Sequence, residues 1–172
     1  MEVLPQPPVP PKINKKTHFK ENEKKWTKEL MDAGWTAFPS IILEKQKALG
    51  LKPIDVNILI YLSTYWWTHD NKPHPAKNTI AQAIGVSPRT VQRRISGMVQ
   101  SGVLKREYRF YKEEEKKGNR TNRYHFNGLI EKAAPYAEQK TRDIKEKQRR
   151  DKIRRKAESP ELPELKLISG KS

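Results

Sequence analysis

Four polar side chains between residues 89 and 96 have the chemistry and the spacing to read base edges in a groove of DNA. An arginine can donate two hydrogen bonds to guanine, and a glutamine amide can pair with adenine. At about 100° per residue around a helix, the four side chains share one face: Arg89, Gln92, Arg93 and Ser96. The pattern therefore predicts a helix whose outer face contacts bases.

The apolar residues of the same segment predict how that helix is held. Three of them, at i, i+4 and i+7, form a stripe on nearly the opposite face: Val91, Ile95 and Met98. Ser87 is suited to cap the helix, and Pro88 fits its first position because the missing N–H costs nothing there. We expect a helix over residues 88–101. An ordinary amphipathic surface helix has the same pattern, so the stripe alone does not establish contact with DNA.

The preceding residues predict a helix-turn-helix. Such a motif needs a small residue where its two helices pack and a turn residue that tolerates unusual backbone angles. Ala81 is the small residue of a helix predicted over residues 76–84, and Gly85 follows it directly. The apolar segment 54–67 comes before this pair, and its length favours a buried helix over a strand. That interpretation places both of its tryptophans in the core: Trp66 and Trp67.

Charge distinguishes this region from an ordinary surface. The chain has 36 Lys and Arg against 20 Asp and Glu, a net charge of +16 at pH 7. No acidic residue occurs between Asp70 and Glu107, whereas basic residues recur there: Lys72, Lys77, Arg89, Arg93, Arg94, Lys105 and Arg106. We expect a polyanionic partner, nucleic acid before an anionic membrane surface. Thr90 and Arg94 flank the outer face of the predicted helix, where contacts with phosphate are expected.

Residues 75–104 resemble the helix-turn-helix of a bacterial winged-helix family, common among plasmid, phage and genomic-island regulators and replication proteins. Four short segments carry the resemblance: Ile80-Ala81, Gly85-Val86-Ser87, Arg89-Thr90-Val91-Gln92-Arg93 and Gly102-Val103-Leu104. With weaker support it extends from Trp35 to Phe126. The family often has serine where this chain has Ala76, so the usual cap of the first helix is missing here.

The resemblance implies a mainly α fold with a small β-hairpin wing, that is, a winged helix-turn-helix with disordered or helical basic tails. Alternation predicts the hairpin strands over residues 103–111 and 122–126. A short strand is also expected over residues 35–38, and short helices over 23–33, 41–49 and 128–138. We expect three regions: a disordered Pro- and Lys-rich tail (1–22), the winged helix-turn-helix domain (23–136, core 53–126) and a charged basic arm with a flexible tail (137–172).

By the same resemblance, the activity is binding of double-stranded DNA. The predicted contact set combines the two helices and the wing: Lys77, Thr79, Ser87, Arg89, Thr90, Gln92, Arg93, Arg94, Ser96, Arg120 and Arg123. Contact by the wing stays open, because the carboxylates of Glu113, Glu114 and Glu115 would repel phosphate.

The basic segment 140–156 has two interpretations. It is either an arm that orders on DNA and adds phosphate contacts, or a solvent-exposed helix held by i, i+4 ion pairs such as Glu146 with Arg150. We expect the arm, because the segment has few apolar residues with which to form a packed structure.

Catalytic and cofactor chemistry is not indicated. Cysteine is absent, which excludes disulfides and thiolate zinc sites, and the four histidines are scattered. The Ser-Gly-Lys-Ser sequence at 169–172 lacks the earlier glycine and the following helix of a phosphate-binding loop. We expect no enzyme activity, no metal or other cofactor, and no small-molecule ligand.

No apolar run of about 18 residues occurs, and no secretory signal is evident. We therefore expect no membrane association and a cytoplasmic, nucleoid-associated protein.

These patterns predict a sequence-specific DNA-binding protein, a transcriptional regulator of a mobile element that reads the major groove with helix 88–101. One alternative is a plasmid- or phage-type replication initiation protein. Another is a winged-helix protein-interaction module whose basic tails bind RNA or an acidic partner. A homodimer is one expectation, since many such proteins bind two half-sites, although no dimer helix is visible in the sequence.

Overall fold

Seven helices and one two-stranded hairpin make up the part of the chain that the structure, a computed structural model, describes: residues 15–110 and 119–158. The element order is α1 (Lys15–Trp26), α2 (Lys28–Asp32), α3 (Ser40–Glu44), α4 (Pro53–Ser63), α5 (Lys77–Ile84), α6 (Pro88–Gln100), β1 (Lys105–Phe110), β2 (Asn119–His125) and α7 (Asn127–Glu158). The chain divides into two units, Met1–Ala137 and Glu138–Ser172. Predictions for residues 1–14, 111–118 and 159–172 lie outside the described residues.

Helix α4 lies at the centre of the hydrophobic core because its apolar residues cover nearly every face. Its Ile58, Leu59 and Leu62 are fully buried. They share one cluster with Ile80 and Ala81 of α5 and with the apolar stripe of α6, whose members are all buried: Val91, Ile95 and Met98. Complete burial of a residue such as leucine stabilises the fold by about 1.5–3 kcal/mol. The stripe therefore fixes α6 against the core and leaves its polar face outward.

The turn between α5 and α6 has the geometry that the sequence predicts. Gly85 adopts a left-handed conformation (φ 71°), which costs glycine nothing. The Val86 N–H donates to the Ala81 carbonyl over 3.1 Å. The Ser87 hydroxyl accepts the Thr90 backbone N–H at 3.1 Å and so caps α6, with Pro88 at its first position. The predicted helix-turn-helix is confirmed.

Strands β1 and β2 form an antiparallel hairpin directly after the helix pair. Arg106 pairs with Tyr124, and Glu107 pairs with Arg123, before a shift in register between Glu107 and Arg109. Because side chains alternate along a strand, the first pair lies on one face of the hairpin and the second pair on the other. The Tyr124 N–H donates to the Pro73 carbonyl over 2.9 Å, which ties the loop before α5 to the hairpin. The molecule is thus mainly α with a small β-hairpin, a winged helix-turn-helix.

The start of α7 completes the core. Leu129 and Ala133 are buried within the same apolar cluster. A Cβ atom at Gly128 would overlap with the Gly102 carbonyl oxygen, so a side chain has no room there. The helix does not end near residue 138 as the sequence predicted, but continues to Glu158. Segment 140–156 is therefore helical, and the i, i+4 pair of Arg150 with Glu146 is present.

The N-terminal part differs most from the sequence prediction. Residues 15–26 form α1, although a disordered tail was expected up to residue 22. The segment is rich in lysine and glutamate, which are good helix formers. Its high charge led instead to the prediction of a disordered tail. Residues 35–38 are not a strand, and α3 ends at Glu44 in a series of turns that continues to Gly50.

The two tryptophans after α4 have different environments. The helix ends at Ser63, where the hydroxyls of Ser63 and Thr64 bond carbonyls three residues earlier. Trp66 stacks on Phe126 with ring centroids 5.1 Å apart. Trp67 is 73% exposed, so the prediction that it packs in the core is wrong. The early end of the helix turns Trp67 away from the face that α4 buries.

Candidate nucleic-acid interface

The outer face of α6 presents the four predicted base-reading side chains to solvent. Arg89, Gln92 and Arg93 are exposed, and Ser96 is half-buried. Within the described part of the chain, neither Arg89 nor Arg93 forms an ion pair. The Gln92 Oε1 atom accepts a 2.8 Å hydrogen bond from Lys77 Nζ, which joins the outer face of α6 to the start of α5. The two arginines are thus available to an external hydrogen-bond acceptor. Gln92 would have to give up its hydrogen bond with Lys77 before its Oε1 atom could accept one from a base.

Arg94 has a partner inside the protein. Its Nε donates to Asp55 Oδ1 over 2.7 Å, and its second nitrogen, Nη2, bonds the other carboxylate oxygen. Asp55 is only 1% exposed and also accepts the Lys52 backbone N–H at 2.8 Å. The hydrogen bonds with Asp55 raise the pKa of Arg94 above its ordinary value and keep it charged. This two-point pair anchors α6 to α4, a role different from the phosphate contact predicted for Arg94.

The other predicted helix residues lie near the turn and along α5. The hydroxyls of Ser87 and Thr90 are 3.0 Å apart, so each has a partner at the capped start of α6. Thr79 and Lys77 are exposed on α5. Ala76 stands at the N-cap of α5 without a side-chain cap, as the substitution of the usual serine implied.

The two predicted wing residues lie on β2. Arg123 contacts Glu107 across the hairpin at 3.3 Å, and His125 Nε2 lies 2.9 Å from the other oxygen of the same carboxylate. The hydrogen bond with His125, and then the charge of Arg123, hold the pKa of Glu107 below its ordinary value. Arg120 stands opposite Arg109 in the strand register. The carboxylate of Glu107 thus neutralises the positive charge of Arg123, one of the two arginines predicted to contact DNA from the wing.

Sequence reasoning missed a cleft of about 480 Å³ beside the outer face of α6. Its wall combines the start of α5, the middle of α6 and one face of the hairpin, and it includes Lys77, Gln92, Ser96, Arg106, Asn122 and Tyr124. Arg106 is the unexpected member. Strand alternation could have indicated it, because β1 turns this arginine toward the protein, where arginine seldom lies without a partner.

The described residues contain no group of three or more His, Asp or Glu side chains placed to bind a metal ion. Of the helices described, none combines the length and the apolar composition needed to cross a bilayer.

The two-helix motif, the hairpin and the acid-free face of α6 define the class: this is a winged-helix protein of bacterial type. The chain belongs to the DnaD N-terminal domain family, whose family model matches residues 38–144, more than half of the chain. The match begins just before α3 and ends within α7, so it includes the whole helix-turn-helix and hairpin.

Three solved structures are similar to this chain. The N-terminal domain of the DnaD protein from Geobacillus kaustophilus HTA426 is 18% identical, with a TM-score of 0.48 over 78% of this chain and 99% of that one. The transcriptional regulator PA3341 is 19% identical, with a TM-score of 0.35 over 75% and 80% of the two chains. MepR of S. aureus, solved with DNA, is 13% identical, with a TM-score of 0.39 over 84% and 97%. No curated protein sequence shows a significant match.

Proposed function

We propose that this protein binds double-stranded DNA in a sequence-specific manner, with α6 in the major groove. One observation carries the proposal: α6 presents Arg89 and Arg93, both exposed and without an ion pair among the described residues, beside Gln92 on a face with no carboxylate. These side chains match the acceptors of guanine and the paired donor and acceptor of adenine. The major groove is about 12 Å wide and admits a helix of this kind.

The packing of α6 supports the proposal, because base reading needs side chains whose positions are fixed before DNA arrives. The buried apolar stripe holds one side of the helix, and the Arg94–Asp55 pair fixes its rotation relative to α4. Because apolar packing and the ion pair already hold α6 in place, the helix loses little conformational freedom when DNA binds. The entropic cost of ordering it is therefore small.

We further propose a non-catalytic role in replication initiation. Membership of the DnaD N-terminal domain family supports this choice, since that domain is related to replication initiation. A transcriptional regulator of a mobile element, acting as a homodimer at two half-sites, is the competing role. The symmetry of the bound sequence separates the two: a palindrome favours the dimeric regulator, and a single or directly repeated motif favours the replication role.

The experiment is selection of bound duplexes from a random library, followed by titration of the selected duplex and a scrambled one at about 150 mM salt. Arg93→Ala is the test variant. Lys47→Ala is the matched control, because Lys47 is an exposed cation outside the helix-turn-helix. We expect a preference of about a thousandfold for the selected duplex. Arg93→Ala should cost about 1–3 kcal/mol on that duplex and relax one base position.

Two results would count against the proposal. Equal weakening of both duplexes by Arg93→Ala would remove the base-reading role of this residue. Absence of any duplex binding at this salt concentration would overturn DNA binding altogether. Lys47→Ala should lower the affinity for both duplexes equally and by less than about threefold, which is what loss of a distant charge can do at this ionic strength.

A further inference from the structure

The cleft beside α6 contains positive charge and no negative charge. Lys77 and Arg106 are its two cations, and the described residues that line it include no carboxylate. Its remaining polar groups are hydroxyls and amides, which can all donate hydrogen bonds. A site with this composition is suited to a ligand that carries several acceptor oxygens and a negative charge.

Arg106 gives the clearest indication that a ligand belongs there. Its Nε atom is buried and has no hydrogen-bond partner among the described residues. The guanidinium carbon lies 4.8 Å from the centre of the Tyr108 ring, so the aromatic face orients the group. Buried donors on charged groups are costly when unpaired, and native proteins rarely leave them so. Arg106 therefore lines the cleft as a cation to whose Nε atom the described part of the chain supplies no hydrogen-bond acceptor.

Neighbouring groups converge on the same space. Burial raises the pKa of Tyr124, so its hydroxyl keeps its proton and remains a donor well above neutral pH. Lys77 donates one of its three hydrogens to Gln92, which leaves two for a ligand. The start of α5 adds backbone N–H groups that no side chain caps.

We propose that this cleft binds a phosphate group, held by the guanidinium of Arg106 and the ammonium of Lys77. The inference rests on the proposed function only for the source of the phosphate, which is then the DNA backbone next to the bases that α6 reads. A free phosphate or nucleotide is the other source of the same chemistry. In the first case the cleft sets the register of α6 on the duplex, because a backbone contact fixes position without reading sequence.

The test follows the side-chain Nε–H resonance of Arg106 by NMR in the full-length protein. The probes are the selected duplex, a scrambled duplex, inorganic phosphate and a nucleoside monophosphate, each at matched ionic strength. Lys77→Gln removes one cation of the cleft without touching Arg106. Lys105→Gln is the control, because Lys105 is an exposed cation adjacent in sequence and on the opposite face of β1.

Both duplexes should shift the Arg106 resonance. Lys77→Gln should weaken duplex binding about 5–10-fold and reduce the salt slope by about 0.9, the value for one lost phosphate contact. Lys105→Gln should change the affinity by less than about half as much, since its charge lies outside the cleft. A circular-dichroism spectrum and melting curve of each variant establish that it is folded.

The outcomes separate this inference from the proposed function. A shift with duplex but not with free phosphate or nucleotide supports a backbone phosphate in the cleft. Saturation by free phosphate or nucleotide, without duplex binding, supports the phosphate site and overturns the proposed function. A third outcome would overturn the phosphate site and leave DNA binding intact. In that outcome the duplex binds without shifting the Arg106 resonance, and Lys77→Gln and Lys105→Gln weaken binding equally.

Discussion

At the scale of single residues, Arg94 has a partner in the structure that differs from the one its position in the sequence predicts. Its neighbours on α6 suggest a phosphate contact, yet its guanidinium is fixed to the buried carboxylate of Asp55. Asp55 has a second partner in the backbone N–H of Lys52, so the carboxylate also stabilises the start of α4. In the proposed complex, the pair would therefore act only by holding α6 in place.

The stability of the protein should depend on both members of this pair. Arg94→Met leaves the Asp55 carboxylate buried without its cation, so we expect a loss of about 3–5 kcal/mol in the free energy of unfolding. Asp55→Leu should also destabilise the fold. The double variant should lose less than the sum of the single losses, because it leaves no unpaired buried charge. Urea denaturation measures all three, and additive losses would contradict the coupling.

Glu107 gives a prediction about pH. Its pKa is lowered in the folded protein, first by the hydrogen bond with His125 and then by Arg123. A carboxylate with a lowered folded pKa adds stability above its unfolded pKa, and that stability is lost as pH falls through the folded pKa. We expect the hairpin pairs to persist until pH drops below the ordinary glutamate range. In an NMR titration, His125→Leu removes this hydrogen bond and should raise the pKa of Glu107, and an unchanged midpoint would contradict the assigned cause.

Sequence alone predicted which residues face outward on α6 but not what they contact. Outward orientation follows from helical periodicity, which is a local property. The partner of Arg94 lies 39 residues away on α4, and no periodicity connects the two. Arg106 was missed for a similar reason, since its neighbours in the cleft come from three elements. Local patterns therefore predicted which residues form the candidate site. Which partner each residue has depends on tertiary contacts that local patterns do not show.

At the scale of elements, the C-terminal half of α7 has an ordered distribution of charge. Five basic residues follow alternating steps of three and four, so they share one helical face: Arg142, Lys145, Arg149, Lys152 and Lys156. All five are exposed. The acidic residues of the same stretch, Asp143, Glu146 and Asp151, lie off this stripe. Such a face suits the phosphates of a duplex and needs no particular sequence.

The stripe should add nonspecific affinity for DNA. The test variant changes Lys145, Arg149 and Lys152 to glutamine, and the control changes Lys147, Arg150 and Arg154, which lie off the stripe on the same helix. We expect the test variant to lose about tenfold or more in affinity for a random duplex at low salt, and the control to lose much less. Fluorescence anisotropy measures both, with circular dichroism to compare helicity. Equal losses would mean that only net charge matters.

The elements themselves were predictable where one pattern dominated. The helix-turn-helix and the hairpin follow from capping residues, a glycine turn and alternation, all of which are local signals. The length of α7 was not predictable, because a highly charged sequence fits an exposed helix and a disordered arm equally well. The end of α4 was missed because its apolar run continues past the hydroxyl residues at which the helix stops.

At the scale of the whole molecule, a net charge of +16 predicts that the proposed binding to DNA weakens steeply as salt is added. Counterion release gives a log–log slope of about −0.9 for each phosphate neutralised. A protein that makes about six such contacts should lose about a thousandfold in affinity between 50 and 200 mM salt. Base contacts release few ions, so the ratio between selected and scrambled duplexes should stay nearly constant.

Titrations of both duplexes across this salt range measure that behaviour. A slope shallower than about −2 would limit the phosphate contacts to two and would contradict a role for the α7 stripe. A ratio that falls steeply with salt would mean that the preference arises from charge and not from base edges.

The close approach of Gly128 to the Gly102 carbonyl has a consequence for which substitutions the protein can tolerate. Gly102 has a left-handed backbone (φ 68°), and its carbonyl occupies the space where any side chain at position 128 would begin. In a library of all single substitutions scored by abundance in cells, position 128 should be among the least permissive, although it touches no DNA in the proposed complex. Its neighbour Asn127 is exposed and should accept many residues. The contrast between two adjacent positions would thus show that packing of the turn after α6 against the start of α7 restricts which residues position 128 accepts, independent of anything the protein binds.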